Sequence, residues 1–195
     1  MDSVFYDHIY LIERNKRKII KIEDDKIVAY HPDTNYRTGL AGDDLCGVFL
    51  CLKMLEHFPV LKAAFFVKEE EICKGSRKAD KNFFKDVGYC VEFDAPGINR
   101  YSEWLGKIKI FDDDFNNIVK PVLEKYKIDN YSYDTYTDVL ELKKSFGISC
   151  ANLPAGYYNY HKSNEYVVIS DVDKCMKLGK DFIKKLGNKK YICSI

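Results

Sequence analysis

The chain has 195 residues, 46% hydrophobic and 31% charged, with a formal net charge of +1. Those values describe a globular protein of about one domain, long enough to bury a sizeable core. They argue against a nucleic-acid surface, as do the five dispersed arginines (Arg14, Arg17, Arg37, Arg77 and Arg100), and no apolar run approaches the roughly 20 residues of a membrane span. The first ten residues carry Asp2, Asp7 and His8 where a secretory leader would be basic and then apolar, so a cytoplasmic location is expected. The seven cysteines (46, 51, 73, 90, 150, 175 and 193) form no C-x-x-C pair and lie largely within apolar runs, which points to reduced core thiols and away from a cysteine-ligated zinc.

In chain order, Tyr6 to Leu11 and Arg17 to Ile22 predict a hairpin across the polar Glu13-Arg14-Asn15-Lys16. Lys26 to Tyr30 predicts a strand that must stop at Pro32, which has no N–H for a ladder, and so leaves His31 at a strand tip. Gly42-Asp43-Asp44-Leu45-Cys46-Gly47 then opens a helix to about Phe58, with Leu45, Val48, Phe49, Leu52 and Leu55 on one face. Taken alone, two acids at a helix start are a cap. Leu61 to Val67 predicts a buried strand ending on Lys68-Glu69-Glu70-Glu71, and that charge run by itself reads as a solvated loop. A short helix over 75–84 follows, then a strand over 87–93 ending at Asp94 before the breakers Pro96 and Gly97.

Further on, 107–111 predicts a strand, and 115–126 a helix that Pro121 should kink or restart. Residues 136–146 predict a helix and 148–153 a strand. Residues 171–186 predict an amphipathic helix with Val172, Cys175, Met176, Phe182, Ile183 and Leu186 inward. Strands alternating with helices imply a single three-layer α/β domain over 1–195, with a mixed, mostly parallel sheet and helices on both faces.

Strand tips and strand–helix junctions carry His31 with Asp33, Asp43 with Asp44, Glu70 with Glu71, and Asp94, and a later loop carries His161. If these converge, they offer imidazole nitrogen and carboxylate oxygen without thiolate, a donor set for zinc, or for manganese or cobalt. His8 and His57 lack such partners and read as ordinary polar residues.

The order of these motifs resembles that of the two-metal zinc exopeptidases, a group that includes aminopeptidases, carboxypeptidase G and peptidase T. His31-Pro32-Asp33, Gly42-Asp43-Asp44-Leu45-Cys46-Gly47, Glu70-Glu71-Ile72-Cys73, Phe93-Asp94 and Tyr160-His161 stand where that family has its five motifs. The resemblance implies two Zn2+ ions, with Asp43 bridging, His31 and Asp94 on one ion and Glu71 and His161 on the other. Glu70 would be the general base acting on a water between the ions, and Asp33 would orient His31. It also implies a cis bond between Asp43 and Asp44.

The implied activity is hydrolysis of a small peptide or amide, most simply by an aminopeptidase. The alternatives are an amidohydrolase acting on a non-peptide N-acyl substrate, or a silent peptidase-like domain that binds metal or a peptide end. The chain departs from the family at Leu45, where lysine or arginine is common, and at Cys73, where glycine is usual. The segment between His31 and Asp43 is short, and 195 residues leave no room for an inserted lid or dimerisation domain. Tyr157 to Tyr160 reads as packing or as a pocket wall, and Asp138 as a residue near the site.

Overall fold

A computed structural model describes residues 18–134 and 137–193. The expected strand 6–11 and the first residue of the 136–146 helix, Tyr136, lie outside the described residues.

The described chain begins with a hairpin, β1 (Ile19–Glu23) and β2 (Lys26–Tyr30), turning through Asp24 at φ 53°. The short β3 (Arg37–Thr38) pairs with the same β2. Late in the chain β9 (Tyr157–Tyr158) and β10 (Tyr166–Val168) join this sheet, β10 against β2, so the ladder is antiparallel throughout. Two further ladders contain the parallel pairs: β4 (Cys90–Ala95) with β8 (Cys150–Pro154), and β5 (Arg100–Leu105) with β7 (Asn130–Asp134). β6 (Ile108–Lys109) is antiparallel to β5. The expected mixed α/β pairing is present, spread over three ladders, but it is not mostly parallel: among the described strands β4–β8 and β5–β7 are parallel and the other pairs are antiparallel.

The helices are α1 (Gly42–His57), α2 (Lys81–Phe84, after a 3-10 turn at Ser76–Lys78), α3 (Asp113–Lys125), α4 (Asp138–Phe146) and α5 (Ile169–Leu186). Side chains alternate along β4, and the neighbours of two adjacent residues show helices on both faces. The Phe93 ring reaches Gly179 of α5, and its carbonyl faces Gly47 of α1, whereas Glu92 interacts with Thr137 and Val139 at the start of α4. The core fills the space between, with Leu50, Met54, Phe111, Phe115, Leu153 and Phe182 almost fully buried.

Three further expectations need correction. α1 buries Cys46, Gly47, Leu50 and Met54, whereas Leu45, Phe49, Leu52 and Leu55 are exposed. Both stripes have helical spacing, and the glycine at 47 decides between them because it lets the helix approach the end of β4. A Cβ there would fall inside the radius of the Phe93 carbonyl oxygen. α3 runs continuously through Pro121, and its Asp112 cap accepts a hydrogen bond from the Phe115 N–H at 2.7 Å. Segment 61–67 forms no strand and joins no ladder among the described residues.

Among the described residues no helix is long and apolar enough to cross a membrane. The seven cysteines are all free, and five are buried.

Candidate functional site

Asp43 enters the site through a chain of close approaches. Ala41, at φ 67°, turns the backbone into α1, and Gly42 follows where a Cβ would lie 2.7 Å from Val167 Cγ2. The bond from Asp43 to Asp44 is cis, as the family resemblance implied. Glu165, 2% exposed just ahead of β10, clamps this turn. Its carboxylate accepts hydrogen bonds from the N–H groups of Leu40 (2.7 Å), Ala41 (2.8 Å) and Asp43 (3.0 Å). Sequence reading passed over Glu165, since a lone acid in the loop before a short strand carries no spacing signal.

His161 arrives from the β9–β10 loop at φ 59°, its ring at 78° to that of Tyr160 and 5.0 Å from it between centroids. Its Nε2 lies 2.9 Å from Asp43 Oδ2 and 2.7 Å from Glu70 Oε1. Donor atoms of these three residues all lie within 4.8 Å of one another, and their side chains are 29%, 17% and 26% exposed in that order. One imidazole nitrogen can donate only one proton, so it cannot satisfy two carboxylates at once. A divalent cation among one nitrogen and two anionic oxygens removes that conflict, and the donor set is one zinc accepts. The residues present therefore fit a metal ion.

The loop after segment 61–67 sets the register of the acidic run. Lys68 (φ 62°), Ile72 (φ 64°) and Cys73 (φ 51°) are all left-handed, an uncommon state for residues with a Cβ and rarest for a β-branched one. Cys73 thus holds the left-handed conformation that glycine adopts most readily, and it is fully buried. The result differs from expectation by one residue. Glu70, expected as the base, reaches the cluster. Glu71, expected as a ligand, faces solvent, where Lys68 (3.1 Å) and Lys74 (2.5 Å) hold it and keep its carboxyl below the usual range. Glu69 turns inward beside Glu70. Burial, reinforced by Glu70, Asp138, Asp43 and Asp44, pushes its carboxyl up to about 7.

The other expected residues lie around this centre. Asp94 sits in β4 at the bulge between Phe93 and Ala95. Its N–H donates to Asn152 Oδ1 at 3.0 Å, and Tyr157 Oη donates to its carbonyl at 2.9 Å. Burial, then Glu92, then Asp43, push the Asp94 carboxyl well above the usual range. His31 and Asp94 are outside the group of donors that meet within 4.8 Å. The His31 Nδ1 accepts weak hydrogen bonds from the N–H groups of Asp33 (3.2 Å) and Thr34 (3.3 Å), so the turn's backbone fixes the ring. Asp33, expected to orient His31, lies in the same turn and is exposed. Asp138, at the start of α4, lines the same cleft as Asp43, Asp44, Glu69, Glu70, Glu92 and Asp94. Tyr157 is buried against the site, which makes it part of the wall.

No family model matches the sequence, and no curated protein sequence matches it. Solved structures do match. Aminopeptidase PepT from Bacillus cereus superposes with a TM-score of 0.62 at 13% identity, over 87% of this chain and 76% of that one. A tripeptidase from Staphylococcus aureus gives 0.58 at 13% identity with the same two coverages. The chain has an aminopeptidase fold. An aminopeptidase from the archaeon Desulfurococcus kamchatkensis matches at 0.60 and 17% identity, and there this chain spans about half (51%) of the longer protein.

Proposed function

We propose that the chain is a metal-dependent aminopeptidase acting on short peptides. The observation that carries this reading is the meeting of Asp43, Glu70 and His161 within 4.8 Å, inside a fold whose solved neighbours are aminopeptidases. Asp43, Glu70 and His161 hold the first cation. Asp43, Asp94 and His31 are the residues available to a second, and His31 would have to give up its turn contacts to take part if it binds through Nδ1. Zinc suits this nitrogen and oxygen set, with manganese or cobalt able to replace it. A bound cation supplies Lewis acidity to the scissile carbonyl and lowers the pKa of an attacking water.

Everything else falls to the chain's own groups. Glu69, inward and next to Glu70, takes a proton from the attacking water on its carboxylate and passes it to the leaving amine nitrogen. Glu165 keeps Asp43 in place through the backbone, and Tyr157 and Tyr160 close the side of the site that His161 enters.

The test is hydrolysis of a panel of fluorogenic aminoacyl amides by the purified protein loaded in turn with zinc, manganese and cobalt. Turnover that needs the metal and a free α-amine supports the reading. Metal retained with no turnover across both aminoacyl and N-acyl amides contradicts it.

A further inference from the structure

The acidic cluster is one end of a cleft of about 490 Å³ that continues well past the residues a metal and a scissile bond require. Its walls are segment 60–66 on one side and the line from Val87 through β4 on the other, and it reaches Asn188, Lys189 and Lys190. β4 is paired on one edge only among the described residues, by β8. Cys90 donates to Ser149 and Asp94 to Asn152 on that edge, so residues 90, 92 and 94 face β8 and residues 89, 91 and 93 face away. Gly47 covers the Phe93 carbonyl, which leaves the backbone groups of Tyr89 and Val91 toward the cleft.

The two ends have opposite charge. At the acidic end Asp43, Asp44, Glu69, Glu70, Glu92 and Asp94 line the cleft. At the far end Lys189 and Lys190 form no ion pair with any described residue, and their backbone packs on Gly88, whose carbonyl accepts from the Tyr191 N–H at 2.9 Å. Lys62, also in the wall, is already held by Asp86. Gly88 to Asp94 is six residue steps, a span of about 20 Å if fully extended.

We propose that the cleft binds a peptide of about five or six residues with both termini free, laid as an added strand on the outer edge of β4. Its α-amine lies at the acidic end, level with Asp94, and its C-terminal carboxylate at Lys189 and Lys190. This rests on the aminopeptidase reading and adds the substrate's length, its strand conformation and the recognition of its tail.

The test is calorimetric binding of a pentapeptide whose first amide is reduced to a methylene-amine, so that no turnover is involved, beside the same peptide with an amidated C-terminus. The acid form binds about tenfold tighter than the amide, and the difference disappears in the Lys189→Ala/Lys190→Ala protein, whose hydrolysis of small aminoacyl amides is unchanged. Amide exchange at Tyr89 and Val91 is fast in the free protein and slows with peptide bound. Equal affinity for acid and amide overturns the proposal. So does protection of Tyr89 and Val91 in the free protein, which would show segment 60–66 already paired there. Loss of aminoacyl-amide hydrolysis by the unmutated protein would instead count against the aminopeptidase reading.

Discussion

The three consecutive acids Glu69, Glu70 and Glu71 give the sharpest prediction, because each faces a different environment. Glu70 Oε1 lies 2.7 Å from His161 Nε2 in the donor cluster, so Glu70→Gln replaces one of two anionic donors by a neutral amide. Changes to groups that merely support ligands weaken metal binding by roughly 10 to 100-fold. Losing a donor costs at least the upper end of that range, about 2.7 kcal/mol. Glu69→Gln leaves the cluster intact, so the metal stays bound, while hydrolysis falls by about 10² to 10⁴-fold with the proton acceptor gone. Glu71→Gln removes only exposed ion pairs with Lys68 and Lys74 and leaves metal content and turnover unchanged. The assay is metal content by mass spectrometry alongside turnover of an aminoacyl amide for all three variants. If Glu71→Gln loses the metal and Glu70→Gln loses turnover alone, the register is the one the family resemblance implied, and the structural assignment of the loop is refuted.

Three further outcomes follow from the packing. Gly47→Ala pushes a methyl group into the Phe93 carbonyl and destabilises the fold by about 2 to 4 kcal/mol in denaturant titration; an unchanged midpoint would mean α1 does not sit against β4 as described. Glu165→Ala leaves three backbone N–H groups without their acceptor and costs about 3 kcal/mol or more, with metal affinity falling as Asp43 loosens. If both stability and metal affinity survive that change, Glu165 is not the clamp. Asp181 is held below the usual carboxylate range chiefly by Lys125 and then by Tyr126, so its contribution is present above the unfolded pKa near 4 and lost as pH falls through the lowered value. Asp181→Asn therefore lowers the melting temperature slightly at pH 7 and not at pH 2; an equal drop at both would assign the effect to packing.

Much of this arrangement is legible in the residues. α1, α3, α4 and α5 announce themselves by apolar spacing and capping acids, and the cis bond between Asp43 and Asp44 is one that the resemblance to the two-metal exopeptidases implied. What is hidden depends on tertiary contacts. The face α1 buries is chosen by a glycine's close approach to β4, which hydrophobic periodicity does not weigh, so the stripe Leu45, Phe49, Leu52 and Leu55 looked equally good. Strand β5 reads Arg-Tyr-Ser-Glu-Trp-Leu, too polar to be seen alone, although Tyr101 and Ser102 are fully buried in it. Three glutamates in a row cannot show which one turns inward, because left-handed residues at 68, 72 and 73 set that register. Glu165 and Asn152 act on the backbone of Asp43 and Asp94, and a side chain that binds backbone leaves no pattern in spacing.

The central claim is that Asp43, Glu70 and His161 surround a cation. The most direct measurement is anomalous diffraction at the zinc edge from crystals of the protein grown with zinc. The account predicts a peak within coordination distance of Asp43, Glu70 and His161, lost in His161→Ala crystals grown the same way. A zinc peak held by other residues, with these three side chains hydrogen-bonded only to one another, would contradict it.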